Sequence, residues 1–247
     1  MLVTMTVKDI QRIATDVADS WVDVNWVESV GSTNTELLAT GEPGSVLIAD
    51  EQTAGKGRMG REWVSPKGSI LALSVLVSAP SSENLGLASL AAGLAITDVI
   101  PEAELKWPND ALIGGKKFAG ILSEADLAGE NPRVVVGIGI NAAWRAEDLP
   151  VEGATSLNLE GIEIDWDEFT VDLLRALAIR LDQWRAGDPE LLENYRAICS
   201  TIGRNVRLVR PDGDVEGTVE GVNDAGEILI NGAAYSAGDV THLRPVN

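Results

Sequence analysis

Two short stretches of this chain gather cations in a pattern suited to a small anionic ligand. One is Gly55-Lys56-Gly57-Arg58-Met59-Gly60-Arg61; the other runs from Lys106-Trp107-Pro108-Asn109-Asp110 to Lys116-Lys117. With Lys67 they hold 7 of the 19 Lys and Arg residues of a chain that carries 38 Asp and Glu. In so acidic a protein such clusters locally reverse the potential, although charge alone equally describes a solvated loop. Glycines let the backbone approach a ligand closely, and guanidinium groups hold carboxylate or phosphate oxygens through forked hydrogen bonds. The stretch 55–60 matches G-x-G-x-x-G letter by letter, but its context excludes a dinucleotide site. Trp63, Pro66 and Gly68 follow, then an apolar run, so no helix begins there to hold pyrophosphate. The acidic residue expected about 20 positions on is also missing, since 78–82 reads Ser-Ala-Pro-Ser-Ser.

In the second cluster a strand ends at Pro108, so Asn109 and Asp110 emerge at a strand end. Their oxygens suit Mg²⁺, a hard cation, while the same residues after proline also read as a plain turn. Lys106 sits in a strand-like run that should be partly buried. After the Gly114-Gly115 turn, alternation with Ala119 and Ile121 selects Lys117 as the inward lysine. His242, the single histidine, lies on a terminal strand and is a weak candidate for a base; Cys199, the single cysteine, closes a late helix and reads as a buried small residue. No G-x-S-x-G, P-loop or H-E-x-x-H occurs. With no evident nucleophile, the chemistry would rest on positioning and electrostatics.

The elements that must position these residues are alternating helices and strands. Val7, Ile10, Ile13, Ala14 and Val17 place a helix over 6–22, with no second helix at helix-turn-helix spacing. A strand follows at 25–30, then a helix capped by Ser32 through Thr40, and buried strands at 46–49 and 70–77. Ser82 caps a helix over 83–100; strands follow at 104–107, 111–113, 119–124 and 133–140, with Gly114-Gly115 as a hairpin turn. Asp165 opens a periodic helix through Arg185, and Pro189 another through Cys199. After Gly203, short runs at 206–209, 215–222, 227–230, 233–236 and 240–243 alternate with tight turns and read as a small β-barrel. The expectation is an α/β (α+β) domain over 1–203 and a small all-β domain over 204–247.

The 247 residues are 45% hydrophobic, enough for a substantial core and against disorder. A net charge of −19 and a pI near 4.3 oppose nonspecific binding to nucleic acid or anionic membrane. One cysteine excludes an internal disulfide and a cysteine-based zinc site. Met1 to Ile10 lacks a basic n-region and apolar core, and the stretch 70–77 is too short to cross a bilayer. The expected setting is therefore soluble and cytoplasmic.

Five motifs in order resemble those of biotin protein ligases. They are Ser32-Thr33-Asn34; Glu51-Gln52-Thr53-Ala54 running on through the glycine loop to Glu62-Trp63; Lys106 to Asp110; Lys117-Phe118-Ala119-Gly120-Ile121-Leu122; and Gly137-Ile138-Gly139-Ile140-Asn141. The terminal barrel is similar to that family's SH3-like C-terminal domain. The resemblance implies a mixed sheet with flanking helices, related to class II aminoacyl-tRNA synthetases. It implies ATP and biotin as substrates with Mg²⁺, activation of biotin to biotinyl-5′-AMP, and transfer to a lysine of a biotin carboxyl carrier domain of a carboxylase. Ser32, Thr33, Asn34 and Gln52 would then line the biotin pocket and Lys117 would pair with the biotin carboxylate. Gly55, Lys56, Gly57, Arg58 and Arg61 would close over the adenylate, Lys106, Asn109 and Asp110 would serve ATP and Mg²⁺, and Asn141 would contact the nucleotide. The family often has Arg where this chain has Lys56, an exchange that loses the forked donor and puts the anion clamp on Arg58. Ser32-Thr33-Asn34 comes too early to leave room for an N-terminal DNA-binding domain, so the resemblance is to the monofunctional type, without nucleic acid, as a monomer or weak homodimer. Rivals are a lipoate–protein ligase or an octanoyltransferase of the same fold, the transferase using a cysteine nucleophile, and a noncatalytic biotin-sensing module. Cys199 lies in the wrong segment for the transferase nucleophile, and the retained Lys106, Asp110, Arg58 and Lys117 oppose loss of catalysis.

Overall fold

The computed structural model describes residues 8–63, 66–128, 132–149 and 151–243. The first part runs α1 (Ile10–Asp16), β1 (Asp23–Val27), α2 (Thr33–Thr40), β2 (Ser45–Ala49), β3 (Ile70–Ser78), α3 (Leu87–Val99), β4 (Glu104–Lys106), β5 (Asp110–Ile113), β6 (Lys116–Asp126), β7 (Arg133–Asn141), α4 (Trp166–Ala186) and α5 (Glu190–Ile198). The seven strands form one sheet in the order β1-β2-β3-β7-β6-β5-β4. β1 and β2 are parallel, and the remaining pairs are antiparallel. The mixed sheet with helices is the expected architecture.

Alternation along the central strands divides their side chains between two faces. Leu71, Leu73, Val75 and Val77 of β3 join Val134, Val136, Ile138 and Ile140 of β7 in the main core, against α3 and α4. The other face is thinly covered. Leu37 of α2 packs there on Leu47, Leu76 and Val135, and Trp144 on Ala49, Ile70 and Ala72. Between these two clusters the sheet presents Gly120, Gly137 and Gly139, and over them lies the cavity described below. In Gly137-Ile138-Gly139-Ile140-Asn141 the isoleucines therefore serve the core, and the glycines and Asn141 the opposite face.

Strands β8 (Asn205–Val209), β9 (Val215–Val222), β10 (Ile228–Ile230), β11 (Ala233–Tyr235) and β12 (Asp239–His242) form a separate antiparallel sheet in the order β11-β10-β9-β8-β12. Its inward side chains, among them Val206, Leu208, Ile228 and Val240, are continuous with the main core. Polar ties add to this. Trp107 Nε1 donates to Gly226 O at 2.9 Å, and Arg196 Nε donates to Val222 O at 2.6 Å.

Several local expectations shift. The helix placed over 6–22 is α1 alone: after Val17 the N–H groups of Ala18 and Ser20 bond three residues back, and the chain turns Trp21 into the core. Residues 6 and 7 lie outside the described residues. The strand placed at 25–30 is β1, with Val30 in an isolated bridge to Gln52. Ser82 caps no helix, because Asn84 adopts a left-handed φ of 54° and α3 begins only after Gly86. The caps Ser32 and Asp165 do stand where expected, each accepting from its helix's first turn. Among the described residues no helix is long and apolar enough to cross a membrane.

Candidate functional site

The cavity over the glycines has a volume of about 600 Å³, within the range of small-molecule sites. Its floor requires residues without side chains. A Cβ on Gly137 would lie 2.3 Å from Asn34 Oδ1, and one on Gly139 would lie 2.3 Å from Trp63 Nε1. The Trp63 ring also covers Gly120, where a Cβ would come within 2.8 Å of it. The absent side chains thus make room for Asn34 at one end and for an indole across the middle.

Neutral hydrogen-bonding groups build the first end. Ser32 caps α2, which turns the next two side chains inward, leaving Thr33 and Asn34 only 3% and 4% exposed. The Thr33 N–H and hydroxyl both donate to Gln52 Oε1, at 2.9 and 3.1 Å. Ser74 Oγ lies 2.6 Å from Thr33 Oγ1 and donates to Asn34 Oδ1 at 2.7 Å. Asn34 Nδ2 donates to Leu122 O and to Glu124 Oε2, at 3.0 and 2.9 Å. Such a set, fixed by mutual bonds, suits an uncharged ligand group that both donates and accepts, such as an amide or urea.

Cations occupy the other end. Lys117 Nζ lies 2.5 Å from Asp110 Oδ1, and Lys106 Nζ 3.8 Å from Asp110 Oδ2, so one carboxylate faces two ammonium groups. Lys117 also sits 5.4 Å from the centre of the Trp63 ring. Arg58 Nη1 donates to Asn109 Oδ1 at 3.4 Å. Burial holds the Arg58 guanidinium below its usual pKa, with Asp239 and Asp110 opposing that shift. This end is short of negative charge and suits carboxylate or phosphate oxygens. Lys116 turns outward to Glu160, at 3.2 Å.

Lys117 reaches the cavity by a route that simple alternation misses. Ala119 and Ile121 face the apolar core, so strict parity would send Lys117 there too. The register of β5 and β6 instead shifts between Ala111 and Leu112, pairing Ala111 with Ala119 but Leu112 with Lys117. The extra residue, Phe118, enters the core at 0% exposure and Lys117 emerges on the glycine face.

The loop at the cavity mouth is a narrow hairpin. Trp63 N donates to Gly55 O at 2.9 Å and Gly57 N to Arg61 O at 2.7 Å, and Lys56 bridges Glu62. A short 3₁₀ turn over Arg58–Gly60 puts Met59 at φ 56°. Lys56 Nζ donates to Thr35 Oγ1 at 2.9 Å. Gly55 is buried but does not line the cavity; a Cβ there would lie 2.4 Å from Trp63 O, so this glycine lets the hairpin's two ends meet.

Ser32, Thr33, Asn34, Gln52, Lys56, Gly57, Arg58, Arg61, Lys106, Asn109, Asp110, Lys117 and Asn141 all line this one cavity. Asn141 is 3% exposed and donates to Thr155 O at 3.0 Å. Asp110 and Asn109 are the oxygen donors beside the cations, and among the described residues no group of three His, Cys, Asp or Glu could form a protein-only metal cage. That donor set fits a Mg²⁺ held mainly by phosphate and water. Trp63 and the floor glycines, which stand within the motifs, and Thr241 of β12 line the cavity without having been expected there. His242, the weak candidate, lines it as well. Its Nε2 lies 3.2 Å from Thr201 Oγ1, and burial, then Lys106 and Arg204, lowers its pKa to about 4. Nothing local in the sequence brings β12 to this cavity.

Residues 26–141 match the Biotin/lipoate A/B protein ligase family, and residues 201–243 match the Biotin protein ligase C terminal domain. The chain is 40% identical to the biotin–[acetyl-CoA-carboxylase] ligase of Mycobacterium tuberculosis, across 91% of this chain and 90% of that protein. It is 37% identical to the enzyme of the same name from Paracoccus denitrificans, across 82% and 92%. The structure is similar to that of biotin protein ligase from Aquifex aeolicus in complex with biotin and ATP, with a TM-score of 0.78 and 27% identity, covering 91% of this chain and all of the other. The chain belongs to the biotin protein ligase family.

Proposed function

We propose that this protein is a biotin–[acetyl-CoA-carboxylase] ligase. It joins biotin and MgATP to biotinyl-5′-AMP and pyrophosphate, then passes the biotinyl group to a lysine of a biotin carboxyl carrier domain and releases AMP. The observation that carries this reading is a single cavity with a neutral hydrogen-bonding end at Thr33, Asn34 and Gln52, a glycine floor under Trp63, and a cationic end at Arg58, Lys106 and Lys117. Biotin has the matching parts in the same order: a ureido group, an apolar ring and chain, and a carboxylate.

In the first step a carboxylate oxygen attacks the α-phosphorus of ATP and the bond to pyrophosphate breaks. Both reactants are anions, so the site must hold them together and spread the developing charge. Lys117 holds the biotin carboxylate, displacing the contact that it makes with Asp110 in the free protein. Lys106 and Arg58 meet the phosphates, and Arg61, Lys56 and Gly57 close the loop over the adenylate. Asp110 and Asn109 would supply oxygens to the Mg²⁺ that accompanies ATP, which would neutralise phosphate charge. Asn141, whose amide donates to the Thr155 carbonyl, contacts the nucleotide. In the second step the acceptor amine attacks the mixed-anhydride carbonyl, the bond to AMP breaks, and no group of the enzyme is acylated. Biotin-dependent release of pyrophosphate from ATP tests this reading, with lipoate and octanoate as alternative substrates. Release that is equal without biotin, or faster with lipoate, would overturn it.

A further inference from the structure

The Arg61 side chain ties the loop across the cavity mouth to the C-terminal sheet. Arg61 Nη2 lies 3.0 and 2.9 Å from the two carboxylate oxygens of Asp239, the first residue of β12. The same guanidinium donates from Nε to Arg58 O at 3.1 Å, closing the turn that carries Arg58. Asp239 thus acts on Arg61 by contact and on Arg58 by its field. The loop has little apolar anchoring of its own, with Met59 at its tip 56% exposed. β12 is firmly held: it pairs with β8 along its whole length, Val240 is buried, and His242 bonds Thr201.

We propose that Asp239 is a positioning residue for adenylate formation. From the C-terminal sheet it holds Arg61, offsets the repulsion between Arg58 and Arg61 while no anionic ligand is present, and keeps the hairpin folded over the cavity. The C-terminal sheet then works as half of the closure. This deepens the ligase reading and rests on it for the identity of the ligand that the loop retains. The Arg61 and Asp239 side chains are 58% and 29% exposed, so the pair is worth a modest factor, about fivefold in the loop's closed fraction.

Two measurements test it. In the ligand-free protein, trypsin cleavage after Lys56 and Arg58 reports loop opening. Asp239→Asn should speed it about fivefold, Asp239→Glu should restore most of the protection, and cleavage elsewhere should not change. Arg61→Gln leaves the C-terminal sheet untouched but also removes the bond to Arg58 O, so it should speed cleavage at least as much as Asp239→Asn, and adding Asp239→Asn to it should change nothing further. In the loaded protein, release of bound biotinyl-AMP should quicken by the same factor in Asp239→Asn. Unchanged cleavage in Asp239→Asn, or additive effects in the double variant, would overturn the latch. The ligase reading fails separately, if the unmodified protein releases no pyrophosphate in response to biotin, and the cleavage experiment stands in either case.

Discussion

The Lys117 ammonium meets the Asp110 carboxylate at 2.5 Å, across the bulge that lifts Lys117 out of the apolar core. Asp110 also faces Lys106 at 3.8 Å, so it holds together two cations that would otherwise repel in a half-buried site. An incoming carboxylate can take the Lys117 contact without leaving Asp110 unpaired, because Lys106 remains beside it. On the proposed function, the arrangement would act as a charge reserve for binding two anions in turn.

Lys117→Met keeps the length and apolar volume of the side chain and removes its charge. Biotinyl-AMP formation should fall on the order of 100-fold, the worth of a charged hydrogen bond in a sheltered site, while the melting temperature moves little. Single-turnover measurement of adenylate decides it. Turnover within a few-fold of the unmodified protein would show that Lys117 does not hold the biotin carboxylate.

Gly139→Ala tests the floor. The added methyl would meet Trp63 Nε1 at 2.3 Å, so the indole must move into the space that a ligand needs. Biotin affinity, followed by titration calorimetry, should drop at least about tenfold, in line with a typical overpacking cost. Helix α3 and the main core lie on the other face of the sheet, so the fold should persist. Full affinity in this variant would mean that the ligand does not lie against Trp63 and the floor.

Much of this arrangement was legible because its causes are local. Ser32 as a helix cap, Gly114-Gly115 as a left-handed hairpin turn and the strand over 133–140 each depend on residues a few positions apart. Lys117 lines the cavity as expected, but not by simple alternation, because a bulge puts Phe118 and Ala119 both in the core. Ser82 was misread because a side chain able to cap does not reveal that Asn84 turns left-handed two residues later. Asp239, Thr241 and His242 were out of reach for another reason. They arrive through packing between segments some 180 residues apart, as in the contact of Arg61 with Asp239, separated by 178 positions.

Charge predicts how the second step responds to salt. The protein carries −19, so at low ionic strength its field would repel an acidic carrier domain. At about 0.1 M salt that repulsion is screened beyond roughly 10 Å. Transfer of biotin to the acceptor should therefore quicken, or at least hold, as salt rises moderately from a low value. A steep loss of transfer over that range, with adenylate formation unchanged, would reveal an attractive patch between the partners.

His242 should make the stability of the protein sensitive to acid. Its folded pKa of about 4 lies below the ordinary 6.5, so between these values the unfolded chain takes up a proton that the folded protein refuses. Protons then favour unfolding, and this contribution to stability is present above pH 6.5 and is lost progressively as pH falls toward 4. Burial is the main cause; Lys106 and Arg204 add to it, since a charged imidazole would face both. His242→Gln retains a polar atom for Thr201 Oγ1 and cannot take up the proton. Urea unfolding at pH 7.5 and pH 4.5 should show the unmodified protein losing more stability on acidification than the variant. Equal losses in the two proteins would mean that His242 is protonated in the folded state as readily as in the unfolded chain.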